Sequence, residues 1–328
     1  MTQNAIQIRY LSRADIERLA ISGGELADRI EATIRACAAG QARNFPKTSM
    51  ACPDGRLFQS TMAVGVGPPA PAFAATKIVG LSPANTDRGL PHIGGVIVLN
   101  DGSTGMPAAI MDATWVTEMR TAALSLVAAR RYARRDADSI GFIGCGAQAK
   151  SHLAVFVEAF PLTRVTAYSR RRSSAEALAA RARAMGLEAI VAEDPRQVVS
   201  GQAIVISTVP GHPNLVPFLR ADWLSRGSFG SLVDLGRSWS TEGFERIDYR
   251  LVDDKAQAEA SKSYRKLTPE GPYSADLLDM VTVPTLGRKN DEERAVFTFQ
   301  GVALADLAAA ALVMETAARA DIGQLLPM

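Results

Sequence analysis

The spacing of hydrophobic residues changes along the chain and divides it into regions of different predicted structure. In the first forty residues, apolar side chains recur every three or four positions, which predicts helices with one buried face. A short strand over 6–10 precedes a capping box at Ser12-Arg13-Ala14-Asp15, where the first helix begins. The second helix is predicted from Gly24 to Ala39, with its apolar stripe at Leu26, Ile30, Ile34 and Cys37.

Beyond Arg43 the pattern shortens to apolar segments that proline and glycine interrupt. This texture is typical of strands in an antiparallel sheet or an open barrel. Helical spacing resumes at Thr117. The predicted strands cover 57–62, 74–79, 94–99 and 107–111.

From Ser139 onward, short β-branched segments alternate with helical ones. Such alternation predicts a parallel sheet with right-handed crossovers. An alanine-rich helix from Leu304 to Ala320 comes so late that we expect it to return to the first domain. The predicted strands are 139–143, 165–168, 189–191, 203–207, 229–235 and 249–252, with a helix over 174–185.

The strand at 139–143 leads into a glycine turn with the layout of a dinucleotide-binding βα turn. Gly144 allows the tight turn, and Gly146 lets the backbone approach a pyrophosphate. Ala149 replaces the third glycine, where the helix packs closely on its strand. The N–H groups at the helix start would face the phosphates. The predicted cofactor-binding residues of this turn are Gly144, Gly146, Ala147, Gln148 and Ala149.

The second strand of the predicted nucleotide-binding sheet lacks the usual acidic residue at its end. Ser169 and Arg170 follow Tyr168 instead. Arginine and serine would hold a 2′-phosphate, whereas an acid would hold the ribose hydroxyl, so NADP(H) is favoured over NAD(H). The alternative is a solvated basic turn. Thr208, after the fourth strand, completes the predicted cofactor site.

Three charged residues stand where charge is unexpected. Lys77 lies in an apolar strand and is either an edge lysine facing solvent or a cleft residue that meets an anion or a reacting water. Arg120 is predicted to open a helix, either at the surface or as the fork for a substrate carboxylate. Asp234 ends an apolar strand at the carboxyl edge of the sheet, where it either transfers protons or stabilises a turn.

Composition, charge and cysteine spacing limit the partners and the kinds of site that are expected. The chain has 328 residues, a net charge of +2 and 47% hydrophobic residues, so neither a nucleic-acid nor a membrane partner is expected. The cysteines, Cys37, Cys52 and Cys145, have no metal-ligand or disulfide spacing, which predicts no metal site and a cytoplasmic location. The N-terminal residues do not have the pattern of a leader segment.

Several segments together resemble the ornithine cyclodeaminase and mu-crystallin family. The glycine turn combined with Arg120-Thr121-Ala122-Ala123 carries most of this resemblance. The other matching segments are Ala75–Val79, Gly89–His92, Val96–Asp101, Thr104–Pro107, Met111–Ala113 and Phe299–Asp306.

The resemblance implies an α/β fold with two domains. Residues 1–125 plus 304–328 would form an α+β domain, an antiparallel sheet or open barrel that binds substrate and dimerises. Residues 126–303 would form a Rossmann-type dinucleotide-binding domain. The expected partners are therefore a small amino or imino acid and a second copy of the chain.

The resemblance also assigns the substrate residues. Lys77 and Arg120 match the family's substrate lysine and its carboxylate-binding arginine, and His92 lies in a matching segment. Lys47 stands where the family has an arginine in an early loop, and Arg43 is the alternative there. The turn at Asp234 departs from ornithine cyclodeaminases and is closer to members that oxidise an N-substituted diaminopropionate.

Two functions follow from these features. The first is an NAD(P)-dependent oxidoreductase that transfers hydride at the C–N bond of an α-amino or α-imino acid. Four activities belong to this class: ornithine cyclodeaminase, amino-acid dehydrogenase, ketimine reductase and N-substituted amino-acid dehydrogenase. In this function Lys77 and Asp234 are catalytic. The second is a non-catalytic, mu-crystallin-like protein that binds a cofactor or another ligand.

Overall fold

A computed structural model describes residues 6–212 and 214–328. The chain divides into two compact units, which we call unit 1 and unit 2. Unit 1 comprises Met1–Arg120 and Val302–Met328, and unit 2 comprises Thr121–Gly301.

The described residues form the following regular elements. The strands are β1 (Gln7–Leu11), β2 (Ala42–Asn44), β3 (Thr48–Ala51), β4 (Leu57–Gly65), β5 (Phe73–Leu81), β6 (Ile93–Asp101), β7 (Pro107–Asp112), β8 (Ser139–Ile143), β9 (Arg164–Tyr168), β10 (Glu188–Val191), β11 (Ile204–Ser207), β12 (Phe229–Leu232), β13 (Tyr249–Val252), β14 (Ala295–Thr298) and β15 (Gln324–Pro327). The α-helices are α1 (Arg13–Arg18), α2 (Gly23–Ala38), α3 (Ala113–Tyr132), α4 (Ala147–Ala159), α5 (Arg172–Ala184), α6 (Pro195–Val199), α7 (Lys255–Ser261), α8 (Leu277–Thr282) and α9 (Ala303–Ala320).

Unit 1 is built on one mixed sheet with the order β15-β1-β7-β6-β5-β4-β2, and β3 pairs with the end of β4. Its described neighbours pair antiparallel except β1 and β7, which are parallel. Within the described chain this sheet stays open and forms no closed barrel. The antiparallel sheet that we predicted is therefore mixed at one pair of strands.

Helices α2 and α9 pack together, and α9 lies on β4 and β5, so the last helix packs within unit 1. On β4, alternate residues face inward, so Thr61, Ala63 and Gly65 are buried while Met62 is exposed. Capping boxes at Ser12 and Ser22 begin α1 and α2.

Unit 2 has a seven-stranded parallel sheet with the order β10-β9-β8-β11-β12-β14-β13. The strand order reverses between β8 and β11, and ligands bind at such a switch point, outside the carboxyl ends of the strands. Strand β14 was not predicted, although it lies between β12 and β13. The strand predicted over 229–235 ends at Leu232 because the following residues form a turn.

Helix α3 starts four residues before the predicted Thr117. The Asp112 carboxylate caps it by accepting the N–H groups of Thr114 and Trp115, at 3.0 and 2.9 Å. Arg120 therefore lies two turns inside the helix and does not open it.

Candidate functional site

Lys77 is buried in the middle of β5, which pairs with β4 on one side and β6 on the other. Only 5% of its surface is exposed. Of the two alternatives for Lys77, the solvent-facing edge lysine is therefore wrong.

The ammonium of Lys77 meets a carboxylate that the sequence analysis did not select. Lys77 Nζ lies 2.7 Å from Asp306 Oδ1, on α9. Arg120 Nε lies 3.1 Å from the same oxygen, without hydrogen-bond geometry. The hydroxyl of Thr61 donates to the other oxygen, Oδ2, at 2.9 Å. The four side chains form one buried group, which we call the Lys77 cluster.

Burial and charge act in opposite directions on the Lys77 cluster. Burial lowers the pKa of Lys77 to about 8, the Asp306 carboxylate raises it, and the nearby Arg120 lowers it. Burial alone would raise the pKa of Asp306, but Lys77 and Arg120 hold it below its ordinary value. Asp306 is therefore ionised at neutral pH, and Lys77 titrates within a range where it can exchange a proton.

Asp306 carries a sequence signal that we did not use. It is the single charged residue in the first half of the alanine-rich helix α9, and the other residues of that half are apolar. A charged residue on the buried face of a helix requires a partner of opposite charge. That requirement, together with the isolated lysine in β5, could have linked the two residues.

The other predicted substrate residues also lie in unit 1. Arg43, on β2, is exposed, and so is His92, just before β6. Lys47 is half-buried in the loop between β2 and β3. Lys77 and Arg120 are joined through Asp306, and none of these three residues takes part in that contact. Roles for Arg43, Lys47 and His92 therefore stay predictions.

In unit 2, the predicted glycine turn follows β8 at the switch point. Gly144 has a φ of +81°, and a Cβ there would lie 2.9 Å from the Thr208 carbonyl oxygen, so glycine is required. The Gly144 N–H donates to Tyr168 O at 2.9 Å, and Thr208 Oγ1 donates to Gly144 O at 2.9 Å. Thr208 thus holds the turn from the neighbouring strand end.

The start of α4 fits a pyrophosphate. Gly146 is the N-cap, no side chain caps the helix, and a Cβ at Gly146 would meet nothing within 4 Å. Ala147 and Gln148 begin the helix, and Ala149 is fully buried, as close helix–strand packing requires. The open backbone and the positive helix end are the features that bind an anion.

The basic turn between β9 and α5 lies beside this site along the sheet, because β9 neighbours β8. Ser169 is half-buried and Arg170 is exposed. Arg172 is engaged by Glu176 at 2.9 Å. The described geometry of Ser169 and Arg170 is compatible with a phosphate ligand and with a solvated turn.

Asp234 is buried at the carboxyl edge of the sheet in unit 2. Its carboxylate accepts hydrogen bonds from Ser207 Oγ at 3.0 Å, Ser238 Oγ at 2.5 Å, and the N–H groups of Gly236 and Val209. Burial raises its pKa to about 6, although these hydrogen bonds act to lower it. They are the contacts expected of a turn aspartate, so proton transfer by Asp234 stays a prediction.

Among the described residues, no three His, Cys, Asp or Glu side chains gather as a metal site would require. No described helix has both the length and the apolar character needed to cross a membrane.

Comparisons with known proteins identify the family of this chain. The model of the ornithine cyclodeaminase/mu-crystallin family matches residues 5–321. An alanine dehydrogenase of Archaeoglobus fulgidus is 29% identical over 95% of this chain and 96% of its own. An N-((2S)-2-amino-2-carboxyethyl)-L-glutamate dehydrogenase of Staphylococcus aureus is 30% identical over 78% of each chain.

A solved structure extends the likeness to the whole fold. The Δ1-pyrroline-2-carboxylate reductase of Thermococcus litoralis, in complex with NADH and L-proline, superposes with a TM-score of 0.85. It is 26% identical, and the match covers 97% of this chain and 99% of that one. These relatives support an enzyme that uses a nicotinamide cofactor on an amino or imino acid.

Proposed function

Because the chain belongs to the ornithine cyclodeaminase/mu-crystallin family, we propose that it is an NAD(P)-dependent oxidoreductase acting on the C–N bond of a small α-amino or α-imino acid. The observation that carries this proposal is the Lys77 cluster. Lys77 and Arg120 bring two positive charges to the single negative charge of Asp306. An α-carboxylate would balance the excess charge.

Each residue then has a defined task. A nicotinamide, when bound, exchanges a hydride with the substrate carbon. Arg120 binds the substrate carboxylate, because a guanidinium offers a planar fork of donors. Lys77 polarises a carbonyl oxygen or a reacting water and exchanges a proton with it. The glycine turn from Gly144 to Ala149 would hold the pyrophosphate.

The choice of substrate is tested by a screen that follows nicotinamide absorbance in both directions. The panel contains alanine with pyruvate and ammonia, proline with its cyclic imine, ornithine, and N-substituted amino acids. Turnover of one class of substrate would identify the reaction that this protein catalyses. Cofactor binding without any turnover would instead support the non-catalytic binding function.

The role of Lys77 is tested with the best substrate of that screen. We expect Lys77→Ala to lower kcat/KM by about 10²- to 10⁴-fold, the usual contribution of a positioned acid or base. NADH or NADPH affinity should stay unchanged, since the predicted cofactor residues lie elsewhere in the chain. Lys289→Ala, at an exposed lysine of unit 2, is the matched control. Unchanged turnover in Lys77→Ala would remove this residue from the mechanism.

For the cofactor, we propose a preference for NADP(H). Support comes from the basic turn after β9, where Ser169 and Arg170 replace the expected acid. The relative from T. litoralis was solved with NADH. A direct comparison of the two cofactors is therefore needed.

We also propose that the chain is a homodimer. The face of the unit 1 sheet turned away from α9 carries apolar side chains that are exposed in the single chain. Met62, Ile78 and Val96 are 42%, 48% and 42% exposed on three adjacent strands. A contiguous apolar face of this kind is typical of a protein interface.

A further inference from the structure

The carboxylate of Asp306 contacts every other member of the Lys77 cluster. We propose that Asp306 is a positioning residue, which holds Lys77 and Arg120 against one carboxylate oxygen and keeps Lys77 in its ammonium form. The inference rests on the proposed function only for what the charged lysine does in catalysis.

The geometry of the carboxylate supports a positioning role. Its two oxygens are used differently, because Oδ1 takes both cations and Oδ2 takes the Thr61 hydroxyl. Thr61 and Lys77 are directly opposite each other on β4 and β5, so both side chains face α9. The Thr61 bond fixes the carboxylate plane and thereby the place of Lys77 Nζ.

The start of α9 is itself anchored to the sheet. Asn44 Oδ1, on β2, accepts the Ala303 N–H at 3.0 Å, one turn before Asp306. Val302, the N-cap residue, supplies no side-chain bond. The position of Asp306 along the sheet is therefore set by a cap as well as by packing.

The charges around Lys77 leave Asp306 as its only nearby counter-ion among the described residues. Strand β4 contributes no charged side chain. Arg120, from α3, is a second cation and opposes the charge on Lys77. The other charged groups on the elements packed against β5 are engaged elsewhere: Asp101 with Ser103 and Thr104, Glu315 with Arg29, and Arg319 with Thr316.

Removal of the Asp306 charge should therefore discharge Lys77. Without the carboxylate, burial and Arg120 both act against the ammonium. We expect Asp306→Asn to lower the pKa of Lys77 by about 1 to 3 pH units, the usual effect of one close opposite charge. Lys77 would then be between half and almost fully neutral at pH 7. The alkaline limb of the kcat/KM profile would move to lower pH by the same amount.

The test measures Lys77 directly, without any substrate. The full chain is labelled with [13Cε]-lysine, and the Lys77 signal is identified by its loss in Lys77→Arg. Its pKa is then read by NMR titration in the wild type and in Asp306→Asn. A purely structural ion pair would also move this pKa. It would leave the alkaline limb of the kcat/KM profile in place, so the two titrations are compared.

Three further variants keep the inference testable if Asp306→Asn does not fold. Asp306→Glu retains the charge and should leave Lys77 mostly protonated at pH 7. Arg120→Met removes the competing cation and should raise the pKa of Lys77. Thr61→Val removes one hydrogen bond without changing charge, so it should lower kcat more than it changes that pKa.

The inference is overturned by a Lys77 pKa that does not respond to Asp306→Asn, or by an alkaline limb of the kcat/KM profile that stays in place when this pKa moves. Where Asp306→Asn fails to fold, an unchanged kcat in Thr61→Val overturns it. A pKa that shifts as expected in a chain that turns over no amino or imino acid would instead contradict the proposed function and leave this inference standing.

Discussion

A buried histidine in unit 2 illustrates how single residues of this chain depend on desolvation. His152, on α4, is fully buried. Its Nδ1 lies 2.7 Å from the Gln148 carbonyl oxygen, which can only accept, so Nδ1 carries the proton. Nε2 then accepts from the Ser125 hydroxyl at 2.9 Å, and Ser231 Oγ lies 2.8 Å from Ser125 Oγ. These hydrogen bonds connect α3, α4 and β12.

Protonation of His152 should destabilise the fold in acid. Burial lowers its pKa from 6.5 to about 4, so the unfolded chain binds the proton first as the pH falls. The neutral imidazole therefore makes its full contribution to the free energy of unfolding above pH 6.5. This contribution, about 3 kcal/mol, is lost as the pH falls from 6.5 to 4. We expect the difference in unfolding free energy between wild type and His152→Asn to shrink by this amount between pH 7 and pH 4. Chemical denaturation at both pH values measures it, and a constant difference would contradict the expectation.

Among the elements, the end of β9 and the start of α5 carry the proposed cofactor preference. The helix begins at Arg172 without a side-chain cap on its N-terminus, and Arg170 and Ser169 precede it. Backbone N–H groups at a helix start and a nearby guanidinium both favour a phosphate.

We therefore expect the wild type to bind NADPH more tightly than NADH, and Arg170→Ala to reduce that ratio by about 10- to 100-fold. The reduction reflects the loss of charge-assisted hydrogen bonds to the 2′-phosphate. Arg181→Ala, an exposed arginine further along α5, should leave the ratio unchanged. Fluorescence titration of both reduced cofactors gives the dissociation constants. Tighter binding of NADH by the wild type would rule out the preference.

For the whole molecule, the uncovered face of the unit 1 sheet predicts assembly. Ile78 and Val96 are direct cross-strand neighbours on β5 and β6, and both point away from α9. Alternation places Lys77 on the opposite face, so this surface can be changed without touching the Lys77 cluster.

The double variant Ile78→Glu/Val96→Glu should convert a dimer into a single chain, because association would bury two unpaired carboxylates. Light scattering after size exclusion, at micromolar concentration, distinguishes the two masses. Ile190, on β10, is 55% exposed, and Ile190→Glu is the control that should leave the mass unchanged. A wild type with the mass of one chain would disprove the dimer.

Local sequence signals were sufficient for much of this protein. The capping box at Ser12, the strands β4 to β7 and the glycine turn depend on residues close together in the chain, and each lies within a few residues of its predicted place. Gly144 needs a positive φ whatever surrounds it, so its role could be recognised from the sequence alone.

Long-range pairing decided the rest. Lys77 and Asp306 are 229 positions apart, and no periodicity reports that β5 and α9 meet. Strand β14 enters between two earlier strands, and the parallel pairing of β1 with β7 depends on the entire intervening chain. The pKa of Lys77 likewise follows from desolvation, which exists only once the sheet and α9 have packed.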